Sequence, residues 1–198
     1  MPLPTLIFAT NNQNKADEIR AVLDGLFEIQ TLKDAGIFID IPEPHDTLAA
    51  NASEKSAVIF KLTKKNCFSE DTGLQVEALD GAPGVRSARY ADGEKQFKNN
   101  TDKLLFNLKN KNNRAAHFRT VISLILSGKE YQFEGICKGS IIEEERGTHG
   151  FGYDPVFIPD GAGKTFAEMT MEEKNKYSHR KKATQKFVEF LKANNGQD

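Results

Sequence analysis

The chain opens on a continuous apolar run over residues 6–9, of strand length, followed by Thr10-Asn11-Asn12-Gln13-Asn14, which has turn and N-cap chemistry. From Lys15 onward Ile19, Val22, Leu23 and Leu26 recur at helical spacing, and Gly25 is a stop signal. A second strand is expected over 27–31. Pro42 and Pro44 flank Glu43, and two prolines cannot sit inside a ladder, so 41–46 is a loop. A long helix follows over 47–65. Cys67-Phe68-Ser69 then leads into Glu70-Asp71-Thr72-Gly73-Leu74, which reads as a strand ending in an acidic turn.

Residues 81–84 form another turn, 97–108 a helix and 109–114 a polar, exposed loop. Ala116, Phe118, Thr120, Ile122, Leu124 and Leu126 alternate with mostly polar neighbours, the period of a half-buried strand. A hairpin signal at 127–130 follows, and Tyr131, Phe133, Gly135 and Cys137 resume the alternation. The segment 147–154 is rich in glycine. The chain ends in a basic amphipathic helix over 178–193, with Ala183, Phe187, Phe190 and Leu191 inward. Helices and strands interleave around an antiparallel pair, which favours α/β or α+β with a central mixed sheet.

Composition narrows the function classes. In 198 residues, 38% are hydrophobic and 28% charged, which suits a globular protein with a real core. The 27 basic side chains against 28 acidic ones argue against bulk nucleic-acid binding, without excluding a local basic pocket. No apolar run approaches the roughly 20 residues that span a bilayer. The N-terminus lacks signal-peptide features, and the two cysteines, Cys67 and Cys137, form no Cys-x-x-Cys motif. A cytoplasmic protein with no membrane contact is expected.

Some motifs are decoys. Gly161-Ala162-Gly163-Lys164-Thr165 resembles the end of a P-loop, but Ile158 stands where its first glycine belongs. Gly150-Phe151-Gly152 begins like a dinucleotide fingerprint and then meets Pro155 in place of the third glycine. His45, His117, His149 and His179 show no metal-ligand spacing.

Three clusters carry candidate chemistry. Thr10, Asn11, Asn12, Gln13, Asn14 and Lys15 lie between strand and helix, where unsatisfied N–H groups and a positive dipole end suit a phosphate; a plain N-cap fits them too. Glu70-Asp71-Thr72-Gly73, with Glu43 upstream, offers hard oxygen ligands of the kind Mg²⁺ shares with phosphate, or else a solvated acidic loop. Gly150-Phe151-Gly152-Tyr153-Asp154, with Lys174, His179 and Arg180, offers close backbone approach, a ring to stack on a base, and polar groups to read its edge. A core aromatic and a helix capped by Ser178 is the structural alternative. Together the three describe a nucleotide hydrolase.

These residues carry a resemblance to a known family. Ala9-Thr10-Asn11-Asn12-Gln13-Asn14-Lys15, Glu70-Asp71-Thr72-Gly73-Leu74, the run from Ala78 to Gly84, Ser87-Ala88-Arg89-Tyr90, Gly150-Phe151-Gly152-Tyr153-Asp154-Pro155, Glu173-Lys174-Asn175 and Ser178-His179-Arg180 occur in order along nearly the whole chain. In them the chain resembles the inosine triphosphate pyrophosphatases, also called XTP/dITP diphosphatases. The resemblance implies an α/β fold with an elongated central mixed sheet flanked by helices, one domain over 1–198 with two lobes and a substrate cleft between them, and a homodimer. It implies Mg²⁺-dependent hydrolysis of ITP, dITP and XTP to monophosphate and pyrophosphate, which cleanses the nucleotide pool.

By position, Thr10 to Lys15 and Lys55 would hold the triphosphate, and Thr72 would touch substrate. Asp71 would be general base and metal ligand, and Glu43 the second metal ligand. Phe151, Gly152, Tyr153, Asp154, Lys174, His179 and Arg180 would form the base pocket. The chain departs from the pattern at Ala50-Asn51-Ala52, where the family often has Glu-Asn-Ala, and at Glu70-Asp71-Thr72-Gly73, where it often has Asp-Asp-Ser-Gly. The rival expectations are a pyrophosphatase of another modified or pyrimidine nucleotide, and a non-catalytic nucleotide-binding module.

Overall fold

A computed structural model of the chain describes residues 3–23 and 25–194, with the side chains of Asn14, Glu18 and Val22 outside that description. The elements run β1 (Thr5–Phe8), α1 (Gln13–Leu23), β2 (Glu28–Thr31), α2 (Leu48–Thr63), β3 (Cys67–Val76), α3 (Asn100–Asn107), β4 (Ala115–Leu126), β5 (Lys129–Ile141), β6 (Phe157–Pro159), α4 (Met171–Asn175) and α5 (His179–Asn194). The strands form one six-stranded sheet in the order β2-β1-β3-β4-β5-β6. β1 pairs parallel to β2 and to β3, and β5 pairs antiparallel to β6, so the sheet is mixed.

The chain divides into two compact units. One comprises residues 1–71, 121–134 and 182–198; the other comprises 72–120 and 135–181. In the first unit, strand alternation sorts side chains into two cores. Leu6, Phe8, Phe68, Ile122 and Leu124 pack with Ala16, Ile19 and Leu23 of α1 and with Ala183, Phe187, Val188 and Leu191 of α5. Ile7, Ala9, Cys67 and Ile125, one residue out of phase, pack with Ile59 of α2 and with Leu32 and Ile37. Both faces of these strands are therefore covered, as parallel strands require. Cys67 Sγ donates to Ser56 O (3.3 Å), and the Ser56 and Ser123 hydroxyls pair at 2.7 Å, so buried polar groups seat α2 on the sheet.

In the second unit, Leu74, Val76, Ala116, Phe118, Cys137, Ile141 and Phe157 share a core with Tyr90, Leu104, Leu108, Tyr153 and Phe166. The opposite face of β3 and β4 is polar there, with Gln75 and His117 bonded at 3.0 Å. Gly139 pairs with Pro159 across β5 and β6, and a Cβ on it would meet Ile158 O at 2.2 Å.

Most boundaries follow local chemistry. Thr47 caps α2 by accepting from Ala50 N, and Lys64 ends it in the left-handed region. Ser127 and Gly128, both at positive φ, make the tight turn between β4 and β5. Some expectations shift. The first helix ends at Leu23, so Leu26 packs on the core from beyond it. The helix expected over 97–108 begins only at Asn100, because Asn99 caps it through Asp102 N. The acidic pair Glu70-Asp71 lies inside β3, which runs on to Val76 rather than ending in an acidic turn. Among the described residues, no helix is long and apolar enough to cross a membrane.

Candidate active site

The acidic pair stays inside a strand because its two side chains point to opposite faces, and each face supplies a lysine. Glu70, whose side chain is only 2% exposed, reaches Lys15 of α1 at 3.2 Å. Asp71 lies on the α2 side, where Lys55 Nζ donates to Asp71 Oδ1 at 3.1 Å, to Glu70 O at 3.0 Å and to Glu43 Oε1 at 2.7 Å. One ammonium is thus shared by two carboxylates from separate segments and by a strand carbonyl. Glu43 is carried by the proline loop, which Asn51 of α2 holds through both backbone groups of His45.

Burial pushes the Asp71 pKa up from the ordinary aspartate value; Lys55 pulls it down, and the neighbouring Glu43 pushes it up again. Its second oxygen, Oδ2, is buried and has no hydrogen-bond partner among the described residues. A buried carboxylate oxygen left so is costly and calls for a cation or donor. Among the described residues, no group of three or more His, Cys, Asp or Glu side chains is gathered into a ready metal cage. Two carboxylates that meet at one ammonium still fit a small hard divalent cation, which commonly takes one or two protein carboxylates, with substrate oxygens and water completing its shell.

The phosphate-loop candidates sit at the start of α1. Thr10 Oγ1 accepts from Asn12 N (3.1 Å), and Asn12 Oδ1 accepts from Lys15 N (3.2 Å), so these two side chains shape and cap the helix start. Gln13 bonds to Asp17, and Asn11 is exposed. The Asn14 side chain lies outside the described residues. Thr10 to Lys15, Lys55, Glu43 and Asp71 all belong to the first unit.

The base-pocket candidates belong to the second unit and sort by burial. Phe151 is 69% exposed, with Lys174 Nζ 5.5 Å and the Arg180 guanidinium 5.9 Å from its ring centre. Tyr153, two residues on, is 4% exposed, packs in the core and donates to Ser87 O at 2.9 Å; burial pushes its phenol above the ordinary tyrosine value. Of the two rings, Phe151 is the one available for stacking. Asp154 Oδ2 binds Lys174 Nζ at 2.6 Å and accepts from Phe151 N at 3.0 Å, so it shapes the glycine loop. A Cβ on Gly150, which has φ +78°, would lie 2.0 Å from that oxygen. Gly152 O accepts from Thr101. His179 is buried and stacks on Phe118 with centroids 4.7 Å apart. Thr72 pairs its hydroxyl with Thr120 at 2.7 Å across β3 and β4.

Sequence reasoning assigned no role to Thr120 or Asn51, and named Glu70 without giving it a partner. The signal for Glu70 was strand parity: it is in phase with Phe68, whose face packs on α1. The decoys resolve as structure. Lys164 pairs with Glu173, and Thr165 and Glu168 form a capping box.

The Ham1 family model matches residues 6–190. A "dITP/XTP pyrophosphatase" of Flavobacterium johnsoniae is 48% identical over 188 residues, covering 95% of this chain and 98% of that protein. One of Porphyromonas gingivalis is 50% identical over 187 residues, covering 94% and 96%. The solved Staphylococcus aureus Ham1 protein matches with a TM-score of 0.90 at 34% identity, covering 96% of this chain and 99% of that one. With sequence and fold agreeing from the first strand to the last helix, the chain belongs to the Ham1 family.

Proposed function

We propose that this protein hydrolyses non-standard purine nucleoside triphosphates (dITP, XTP and ITP) to the monophosphate and pyrophosphate, with Mg²⁺ as cofactor, so removing deaminated purines from the nucleotide pool. The reading rests on the Asp71–Lys55–Glu43 arrangement with its unengaged buried carboxylate oxygen, within electrostatic reach of Lys15 in the first turn of α1. The relatives' names supply the substrate class.

Glu43 and Asp71 would hold the ion. When bound, it neutralises charge on the phosphate oxygens as the anhydride breaks. Asp71 accepts a proton from the attacking water, and its raised pKa makes it a stronger base than an ordinary aspartate. Lys15 and Lys55 carry charge to the pyrophosphate, and the N-terminal amides of α1 add donors. In the second unit, Phe151 offers a stacking face, while Lys174 and Arg180 carry only donors. Those donors suit the 6-keto oxygen of hypoxanthine or xanthine and leave adenine's amino group opposed, a mismatch that can cost about 10⁴-fold. We expect the protein to act as a homodimer in the cytoplasm, with no nucleic-acid or membrane partner.

The test is pyrophosphate release from ITP, dITP, XTP, GTP, ATP and pyrimidine triphosphates, each with Mg²⁺ and with chelator. Metal-dependent release confined to ITP, dITP and XTP is the expected outcome. Asp71→Asn should lose roughly 10²-fold or more in turnover while still binding nucleotide. Equal rates on ATP and ITP refute the selectivity, a pyrimidine preference replaces the substrate class, and binding without release makes the protein a sensor.

A further inference from the structure

We infer that Asn51 is a positioning residue for the metal carboxylate Glu43, acting through the backbone of His45; the inference rests on the reading of Glu43 and Asp71 given above. Glu43 sits in a segment poorly suited to hold anything still. Pro42 and Pro44 on either side of it have no N–H to donate, and residues 44–47 are exposed. Asn51, by contrast, is 0% exposed, in the second turn of α2. Its Oδ1 accepts from His45 N at 2.9 Å and its Nδ2 donates to His45 O at 3.1 Å.

One side chain thus engages both backbone groups of one loop residue, as a neighbouring strand would. From His45 the path back to Glu43 runs through Pro44, whose ring holds φ near −65°. Asn51 and Lys55 are four residues apart on α2 and so share a face. The amide fixes the loop at one turn, and the ammonium receives Glu43 at the next, 2.7 Å away. Aspartate cannot donate to His45 O, and an apolar side chain engages neither group. A buried asparagine that served the fold alone would have no reason to track Glu43, and this is what the experiment separates.

The variants are Asn51→Leu, Glu43→Gln and the double variant. Mn²⁺ binding without nucleotide is measured by calorimetry, along with the Mg²⁺ concentration giving half-maximal pyrophosphate release. Asn51→Leu should weaken both by about 10-fold or more, as losing the support of a metal ligand does, with turnover recovering at saturating metal. In the double variant the loss should not exceed that of Glu43→Gln, because both substitutions remove the same contact.

If Glu43→Gln weakens the ion and Asn51→Leu does not, the positioning role is overturned and the metal reading stands. If Glu43→Gln binds the ion like the parent, the metal reading fails and takes the inference with it. Should Asn51→Leu not fold, hydrogen exchange of the parent protein decides. The His45 amide, though in an exposed loop residue, should exchange far more slowly than a free peptide; unprotected exchange overturns the inference.

Discussion

Replacing Lys55 by methionine keeps the length of the side chain and removes a cation that three oxygens share. Nζ lies 2.7 Å from Glu43 Oε1 and 3.1 Å from Asp71 Oδ1, and it also donates to Glu70 O. At an effective dielectric constant of about 20, each charge pair at that range is worth roughly 5–6 kcal/mol before desolvation. Breaking a buried pair by removing one partner costs about 3–5 kcal/mol net. The two carboxylates keep some contact with water, so the lower end applies, about 3 kcal/mol. The assay is urea unfolding at pH 7 in chelator, where a slope near 2 kcal/mol per M puts the midpoint about 1.5 M lower. Divalent cation should then stabilise Lys55→Met more than the parent, because the ammonium no longer competes for the two carboxylates, by up to about 2.7 kcal/mol at 100 times Kd. On the role proposed for Lys55 at the phosphates, activity should fall as well. A variant as stable as the parent in chelator, with the same metal response, would falsify the shared-cation account.

Phe151→Ala should raise KM for ITP about 5-fold or more, since base stacking on an aromatic is worth about 1–3 kcal/mol, with kcat changed less; steady-state kinetics checks this. Gly150→Ala should disturb the Asp154–Lys174 pair, because a Cβ there lies 2.0 Å from the carboxylate oxygen and φ is +78°. A loss of about 1–3 kcal/mol in urea unfolding is expected, with weakened nucleotide binding. Glu168 and Glu173 accept from the Thr165 and Thr170 backbone amides, which hold both pKa values below the ordinary 4.5. Their contribution to stability is present above pH 4.5 and is lost as pH falls through the lowered folded values. Unfolding followed from pH 6 to pH 3 should show that loss, and Glu173→Gln should flatten it.

Much of the fold was legible from local chemistry. Helical spacing of apolar residues, the Thr47 cap, the Ser127-Gly128 turn and the prolines around Glu43 act through neighbours in the chain, so the sequence carries them openly. The three polar clusters and their order along the chain were legible for the same reason, and they were enough for the family and the reaction class. Partners and burial were not, because they depend on segments far apart in sequence. Glu70 and Asp71 are adjacent, yet one meets Lys15 of α1 and the other Lys55 of α2, since helices cover both faces of β3. Phe151 and Tyr153 are two aromatics of one glycine loop, and only packing against the Ser87 segment decides which ring is buried. His179 and Arg180 are neighbours in the sequence, and only folding shows that the His179 ring is buried and stacked on Phe118. Asn51 is an unremarkable helix residue in the sequence; folding brings its amide to His45, and so ties Glu43 to the helix that carries Lys55.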